Sequence, residues 1–390
     1  MRHARLPTGL VLAAAAATVL AGCGSSGTSA STASAHISYK APTAAVSLAK
    51  VCPSTVVIQQ DWEPEAEHAA EYKLLGAGYT IDAARKRTTG PLVIDGMNTG
   101  VKIQIRAGGS AIGFQSVSSE MYVDHSITLG AVSTDGAIAA AQTQPVTAVV
   151  SPLEKSPQIL FWDPATHPGW KSFADIGKSG AKVVVSPGSD FAELLVREGF
   201  IKSNQIDSSY NGSPARFVAD PGIAEQGFAT AEPYIYAHQV PAWDKPVRYE
   251  LLASAGYNIY PEALSVRTGE LPTLAPCLKK LVPILQRAQV EYINDPGPTD
   301  QLIATIVKEY NDGWVYSDGV ANYAAAAMKK LGIVADDATG PVGGIDLSRV
   351  QSSIGTFTPI LRSSGAKIPA GLKASQIATD EFIDKNITLK

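Results

Sequence analysis

The 390-residue chain is short of charge: Asp, Glu, Lys and Arg make up 17% of it, and acidic residues outnumber basic ones by 36 to 32. A formal charge of −4 excludes the basic footprint of a nucleic-acid binder. With 45% hydrophobic residues, it also lacks the polar composition of a disordered, collagenous or coiled-coil chain. No apolar run reaches the roughly 20 residues that a membrane-spanning helix needs. Cysteine occurs three times and histidine six, with no CxxC pair and no His-rich ligand spacing, so neither a metal site nor a cofactor is expected. GxSxG, HExxH, the P-loop and a GxGxxG between strand and helix are all missing, and Cys52 and Cys277 lack a nucleophile signature. An enzyme is therefore not expected, because no spacing sets a base beside a nucleophile.

What the chain does have begins at its N-terminus. Arg2 and Arg5 precede the apolar run LVLAAAAATVL, which ends in Leu20-Ala21-Gly22-Cys23. This reads as a bacterial signal peptide over residues 1–22. Small residues before a cysteine resemble the lipobox of secreted lipoproteins, so Cys23 is expected to carry lipid, palmitate included, at the extracytoplasmic face of the cell membrane. Residues 23–50 are expected to form a flexible tether rich in Ser, Gly, Thr and Ala. Cleavage would leave 30 basic against 36 acidic residues, a charge of about −6 that disfavours adsorption on anionic lipid. In that oxidising compartment the two remaining cysteines, Cys52 and Cys277, form an even pair, which predicts a disulfide joining distant stretches.

Length suggests two or three compact units at about 150 residues each. Residues 54–60 (STVVIQQ) are β-branched, and 65–78 place Ala66, Ala69, Ala70, Leu74 and Ala77 at helical spacing. Strands at 101–106, 127–133 and 146–151 alternate with helices at 110–123, marked by Phe114, Val117 and Met121, and 134–142. That alternation predicts a parallel sheet covered by helices. A second α/β pattern follows: strands 159–162 and 181–186, helices 172–176 and 191–199, strand 215–219, helix 222–227 and segment 233–239. Residues 257–266 (YNIYPEALSV) read as the chain's return to the first unit. Beyond 271 the pattern is helical, at 275–294, 299–310 and 320–331. The expected architecture is α/β with two lobes, 51–152 plus 254–390 and 153–253, a hinge of two crossover segments, and extra C-terminal helices on lobe 1.

The stretches DWEPEAEHAAEYKLLGAGY, ITLGAVSTDGAI, VVVSPGSDFAELLVREGF and GFATAEPYIYAHQ, in that order, resemble the substrate-binding proteins of ABC importers for thiamine pyrimidine precursors, alkanesulfonates, taurine and nitrate. The likeness spans most of residues 52–330. It implies the type II periplasmic-binding-protein fold, two lobes closing on a small ligand, with an ABC permease as partner and the protein acting as a monomer. The chain departs from the family in a longer connection over residues 85–99 and in a stretch after residue 330 that has no counterpart.

In open α/β sheets ligands sit beyond the carboxyl ends of the strands. That rule picks out Asp61, an acceptor for amino or ammonium donors, and Trp62, which offers a flat face to a planar ligand or packs between lobes. His68 either reaches the ligand or is a satisfied helix residue. Ser186, Gly188, Ser189 and Asp190 precede a helix start, where amides bind an anion or are capped by Ser189 or Asp190. Gln115 and Ser116 read most simply as a solvated helix start, while Tyr210, Glu232 and Tyr234 resemble the family segment that crosses the cleft. Asp61, Glu63, Glu65, Glu67 and Asp190 crowd the cleft with negative charge. Like charges at 4 Å repel by about 1 kcal/mol in water and several-fold more when enclosed, so an uncharged or cationic donor-rich ligand, a pyrimidine or similar heterocycle, fits better than a sulfonate, taurine or nitrate. A ligand sensor or a secreted enzyme is the competing class.

Overall fold

The computed structural model describes residues 38–338 and 340–389. The signal segment and Cys23 lie outside the described residues. Val56, Val57 and Ile58 build β1 (Thr55–Gln59), which pairs in parallel with β4 (Met97–Arg106) and β5 (Leu129–Val132) at the centre of a seven-stranded sheet. β2 (Thr80–Asp82) and β3 (Arg87–Ile94) extend that sheet beyond β4 as an antiparallel hairpin, and β6 (Val146–Val150) forms its far side. The lengthened connection at 85–99 is thus spent on sheet rather than loop.

The chain then crosses to a five-stranded sheet of β7 (Gln158–Trp162), β8 (Val183–Val184), β9 (Ile206–Asp207), β10 (Ala224–Phe228) and β11 (Arg248–Leu251), in the order β11-β7-β10-β8-β9. It returns as β12 (Ala263–Arg267), inserted antiparallel between β5 and β6. The result is the two-lobed α/β fold, with crossovers at 151–157 and 256–262.

Covering helices are α1 (Ala69–Lys73), α2 (Val117–Val123) and α3 (Thr134–Ala140) on lobe 1, and α4 (Phe173–Ser179), α5 (Asp190–Arg197), α6 (Ala215–Ala219) and α7 (Glu232–His238) on lobe 2. Four longer helices follow: α8 (Leu271–Asn294), α9 (Gly297–Tyr310), α10 (Asp318–Leu331) and α11 (Leu347–Ser363). No helix among the described residues is long and apolar enough to cross a membrane.

Several expectations are corrected. Residues 215–219 form helix α6 and 224–228 form strand β10, the reverse of the periodicity reading. Pro214 starts the helix, and only Phe217 in it is buried, whereas β10 is held centrally by pairing to β7 and β8 despite its buried Glu225 and Gln226. The helix expected at 110–123 is broken at Gly113, whose φ of 60° is left-handed, and Phe114 is 71% exposed rather than core. The tether does not run to residue 50: Val46 and Leu48 are buried, and the Leu48 amide donates to the Thr99 carbonyl at 2.9 Å.

The C-terminal helices are not confined to lobe 1. α8 packs on α1 and β6, and α9 on α1, but α10 touches α7 and α11 touches both α3 and α5. The two buried apolar clusters likewise each take residues from both sheets, so the lobes are not separate cores. Arg349 of α11 fastens both crossovers. Its guanidinium meets Glu154 Oε1 at 2.6 Å and the Glu154 carbonyl at 2.7 Å in the first, and the carbonyls of Ile259 at 2.9 Å and Asn258 at 3.1 Å in the second. It also lies 4.0 Å from the Tyr260 ring centroid. The Tyr260 hydroxyl donates to Asp337 at 2.8 Å and accepts from the Asp346 amide at 2.7 Å. The stretch after 330 is a strap across the hinge.

Cys52 and Cys277 are joined, with Cα atoms 4.6 Å apart and a sequence separation of 225. The bond ties the chain just before β1 to α8.

Candidate functional site

The site grows from the carboxyl end of β1. The turn Asp61–Trp62 is pressed against Gly108 and Gly109, which follow β4. The Gly108 amide donates to the Trp62 carbonyl and that of Gly109 to the Asp61 carbonyl, both at 2.8 Å. A Cβ on Gly108 would stand 2.3 Å from the Asp61 carbonyl carbon, so no other residue fits there. Trp62, 39% exposed, lies beside Phe114 and Trp314, with ring centroids 6.0 and 6.2 Å away.

Behind the turn, a 3-10 turn at Ala66–His68 leads into α1 and buries His68 to 1% exposure. His68 Nε2 lies 3.0 Å from Asp61 Oδ1 and 3.7 Å from Glu262 Oε2, in the second crossover. From lobe 2, Thr230 donates its hydroxyl to Glu67, closing a direct contact across the junction. Glu232 folds over Gly227, where a Cβ would meet its Cδ at 2.7 Å, and accepts from the Phe228 amide at 2.5 Å.

Carboxylates therefore converge here from both lobes. Burial, reinforced by the charges of Glu67, Asp61 and Glu232, pushes Glu65 well above the usual carboxylate range. Burial, then Asp61 and Glu67, does the same to Glu262. Glu67 is raised by burial against the opposing Thr230 hydrogen bond. Burial lifts Glu71 and Glu232 to about 7, and burial with the Glu232 charge lifts Glu225 to about 8. For His68, burial pulls downward but is outweighed by the hydrogen bond and charge of Asp61 and by Glu71 and Glu67, so its pKa is raised. One oxygen each of Glu63, Glu71 and Glu225 is buried without a hydrogen-bond partner.

All of these groups bind protons more tightly folded than unfolded. The stability they lend is complete below about pH 4.5 and is lost as pH rises through 7 to 8. The melting temperature of the ligand-free protein is expected to fall by roughly 5–10 °C between pH 5.5 and pH 8. Calorimetry across that range checks it, and a flat or rising profile would contradict the charge distribution described here.

The other expected residues fall in several places. Tyr210 joins Glu225 and Glu232: burial and then their charges raise its pKa. Tyr234 turns away and packs over Gly319 of α10, 5.7 Å ring to ring from Tyr323. Ser186 bonds Gln226, its amide 2.6 Å from Oε1 and its hydroxyl 2.9 Å from Nε2. Ser189 does not cap α5; its hydroxyl donates to the Ser186 carbonyl at 2.7 Å, and Gly188 takes a φ of 73° to make that turn. Asp190 is raised to about 6 by burial and then by Asp135 of lobe 1, a second point where lobes meet. Gln115 is exposed and Ser116 caps α2 through the Ser119 amide. Sequence reasoning missed Glu71, Glu225, Thr230 and Glu262. The one signal for Glu262 was an acidic residue inside the apolar return segment.

No family model matches the chain and no curated protein matches its sequence. Solved structures do resemble it. The periplasmic aliphatic sulphonate-binding protein SsuA of Escherichia coli is 14% identical with a TM-score of 0.52, covering 83% of this chain and 92% of that one. The alkanesulfonate-binding protein SsuA of Xanthomonas axonopodis pv. citri, bound to MOPS, is 13% identical with a TM-score of 0.50 over 84% and 98%. The periplasmic nitrate-binding protein NrtA of Synechocystis PCC 6803 is 11% identical with a TM-score of 0.51 over 84% and 87%. The chain thus has the fold of the periplasmic solute-binding proteins that its sequence resembles.

Proposed function

We propose that this protein captures a small, planar, donor-bearing solute, cationic or uncharged, between its lobes and passes it to an ABC permease at the outer face of the cell membrane, held there by lipid on Cys23. The observation that carries the ligand class is the gathering of Asp61, Glu67, Glu71 and Glu262 around His68, with Glu63, Glu65 and Glu232 close enough to act on that group electrostatically. Donors on the solute would satisfy carboxylate oxygens that now lack partners, and Trp62 offers a face for a heterocycle of the aminopyrimidine type. Closure would follow from contacts made to both lobes at once, as Thr230 and Glu67 already make to each other.

A second reading, capture of a sulfonate or nitrate, is favoured by what the similar structures are named for. A melting-temperature screen at saturating ligand decides between them. Aminopyrimidines and small amines are expected to raise the midpoint by several degrees, with taurine, MOPS and nitrate inert. The reverse pattern would overturn the donor-bearing ligand and leave solute capture standing.

A further inference from the structure

The geometry points to a divalent-metal site formed by Asp61, His68 and Glu262, of the kind a first-row ion such as Zn2+ or Mn2+ occupies. One donor atom from each lies within 4.8 Å of the other two. The separations in the structure, 3.0 Å from His68 Nε2 to Asp61 Oδ1 and 3.7 Å to Glu262 Oε2, bracket the edge of a coordination tetrahedron. Metal–ligand bonds of about 2.0–2.2 Å set that edge at roughly 3.3–3.6 Å. Shifts of a few tenths of an ångström would bring the two His68 separations onto that edge, and the Asp61–Glu262 separation already lies within 4.8 Å.

A separate observation concerns Glu262. Its side chain is 11% exposed, and among the described residues its one oppositely charged neighbour within ion-pair range is His68. A mostly buried carboxylate facing a histidine is stabilised when a cation shares it. Asp61, whose side chain is 41% exposed, lies on the open side, so three protein donors leave a fourth position facing the junction. One nitrogen and two carboxylate oxygens suit ions of intermediate hardness.

All three residues belong to lobe 1 and the second crossover, so the site is complete whether or not the lobes close on a solute, although it uses residues that the proposed solute site also uses. Its effect on the transport reading is specific. An ion here would reverse the local charge and give a solute oxygen or nitrogen a point of attachment in a region otherwise repellent to anions.

The test is titration of the chelator-treated, full-length protein with ZnCl2 and MnCl2 by calorimetry, and with Co2+ followed by its visible absorption. One ion per chain is expected. Asp61→Asn and His68→Gln should each weaken it by at least about 100-fold, since even residues behind the ligands cost 10–100-fold. Asp61 is partly exposed, so its variant keeps the fold testable by circular dichroism, while Glu309→Gln on the outer face of α9 should match wild type. Absence of saturable one-to-one binding, or unchanged binding in Asp61→Asn, would overturn the site. A screen in which donor-bearing solutes fail while the metal titration succeeds would overturn only the donor-bearing ligand.

Discussion

Arg349→Ala is expected to cost about 3–5 kcal/mol, the range for removing one partner of a buried ion pair. The guanidinium is 18% exposed and Glu154 20%, so solvent screens the pair little. Three main-chain carbonyls, of Glu154, Asn258 and Ile259, would also lose a charged donor. Lysine should not rescue, because one ammonium cannot span two segments that a planar fork reaches together. The pH dependence is distinctive. Glu154 sits at about 7 because burial raises it even beside Arg349, and loss of the guanidinium would raise it further. At pH 6 the carboxyl takes up a proton and the penalty is blunted; at pH 8 it must stay charged without a partner or bind a proton at a cost. Urea unfolding of both proteins at the two pH values should show the larger difference at pH 8. An equal loss at both would place the effect in packing against Tyr260 instead.

Opening the Cys52–Cys277 bond should be comparable in size. Chain-entropy reasoning for a closed loop of 225 residues gives about 5 kcal/mol at 25 °C. Cys277 is fully buried in the first apolar cluster, so the double substitution Cys52→Ala/Cys277→Ala keeps the site apolar and isolates the cross-link. Its denaturation midpoint should fall well below that of the oxidised protein and coincide with that of the reduced wild type. A midpoint indistinguishable from the oxidised protein would mean that the unfolded chain is already held compact there.

Much of the fold could be read in advance because its central strands are unambiguous. STVVIQQ, VKIQIR and VTAVVS are dense in β-branched residues, and the helices between them carry apolar residues at three- and four-residue spacing. The second lobe was less legible for a physical reason. β10 reads AEQGF, and its place in the sheet is set by pairing with β7 and β8, which no local periodicity records. Phe114 looked like a core position until Gly113 turned the chain and left the ring at the surface.

At the candidate site, the acidic turn after β1 was visible because its residues are contiguous. Glu225 and Glu262 were not, since they arrive from strands and crossovers more than 150 residues away. Arg349 could not have been anticipated at all, as its importance lies in touching two segments that only the finished fold brings together.

The rims of the larger sheet bear on how the protein behaves when crowded. One rim ends in the three-residue β2, followed after Ala83 and Ala84 by Arg85, Lys86 and Arg87, the last of which opens β3. Along the other, Ala148 of β6 is already paired, its amide to the Ile377 carbonyl and its carbonyl to the Thr379 amide, both at 2.9 Å. Unsatisfied edges recruit neighbouring chains into aggregates, and short, cationic or occupied edges do not. At high local concentration the protein would thereby be kept from fibrillar self-association by its own hairpin and by the segment paired along β6.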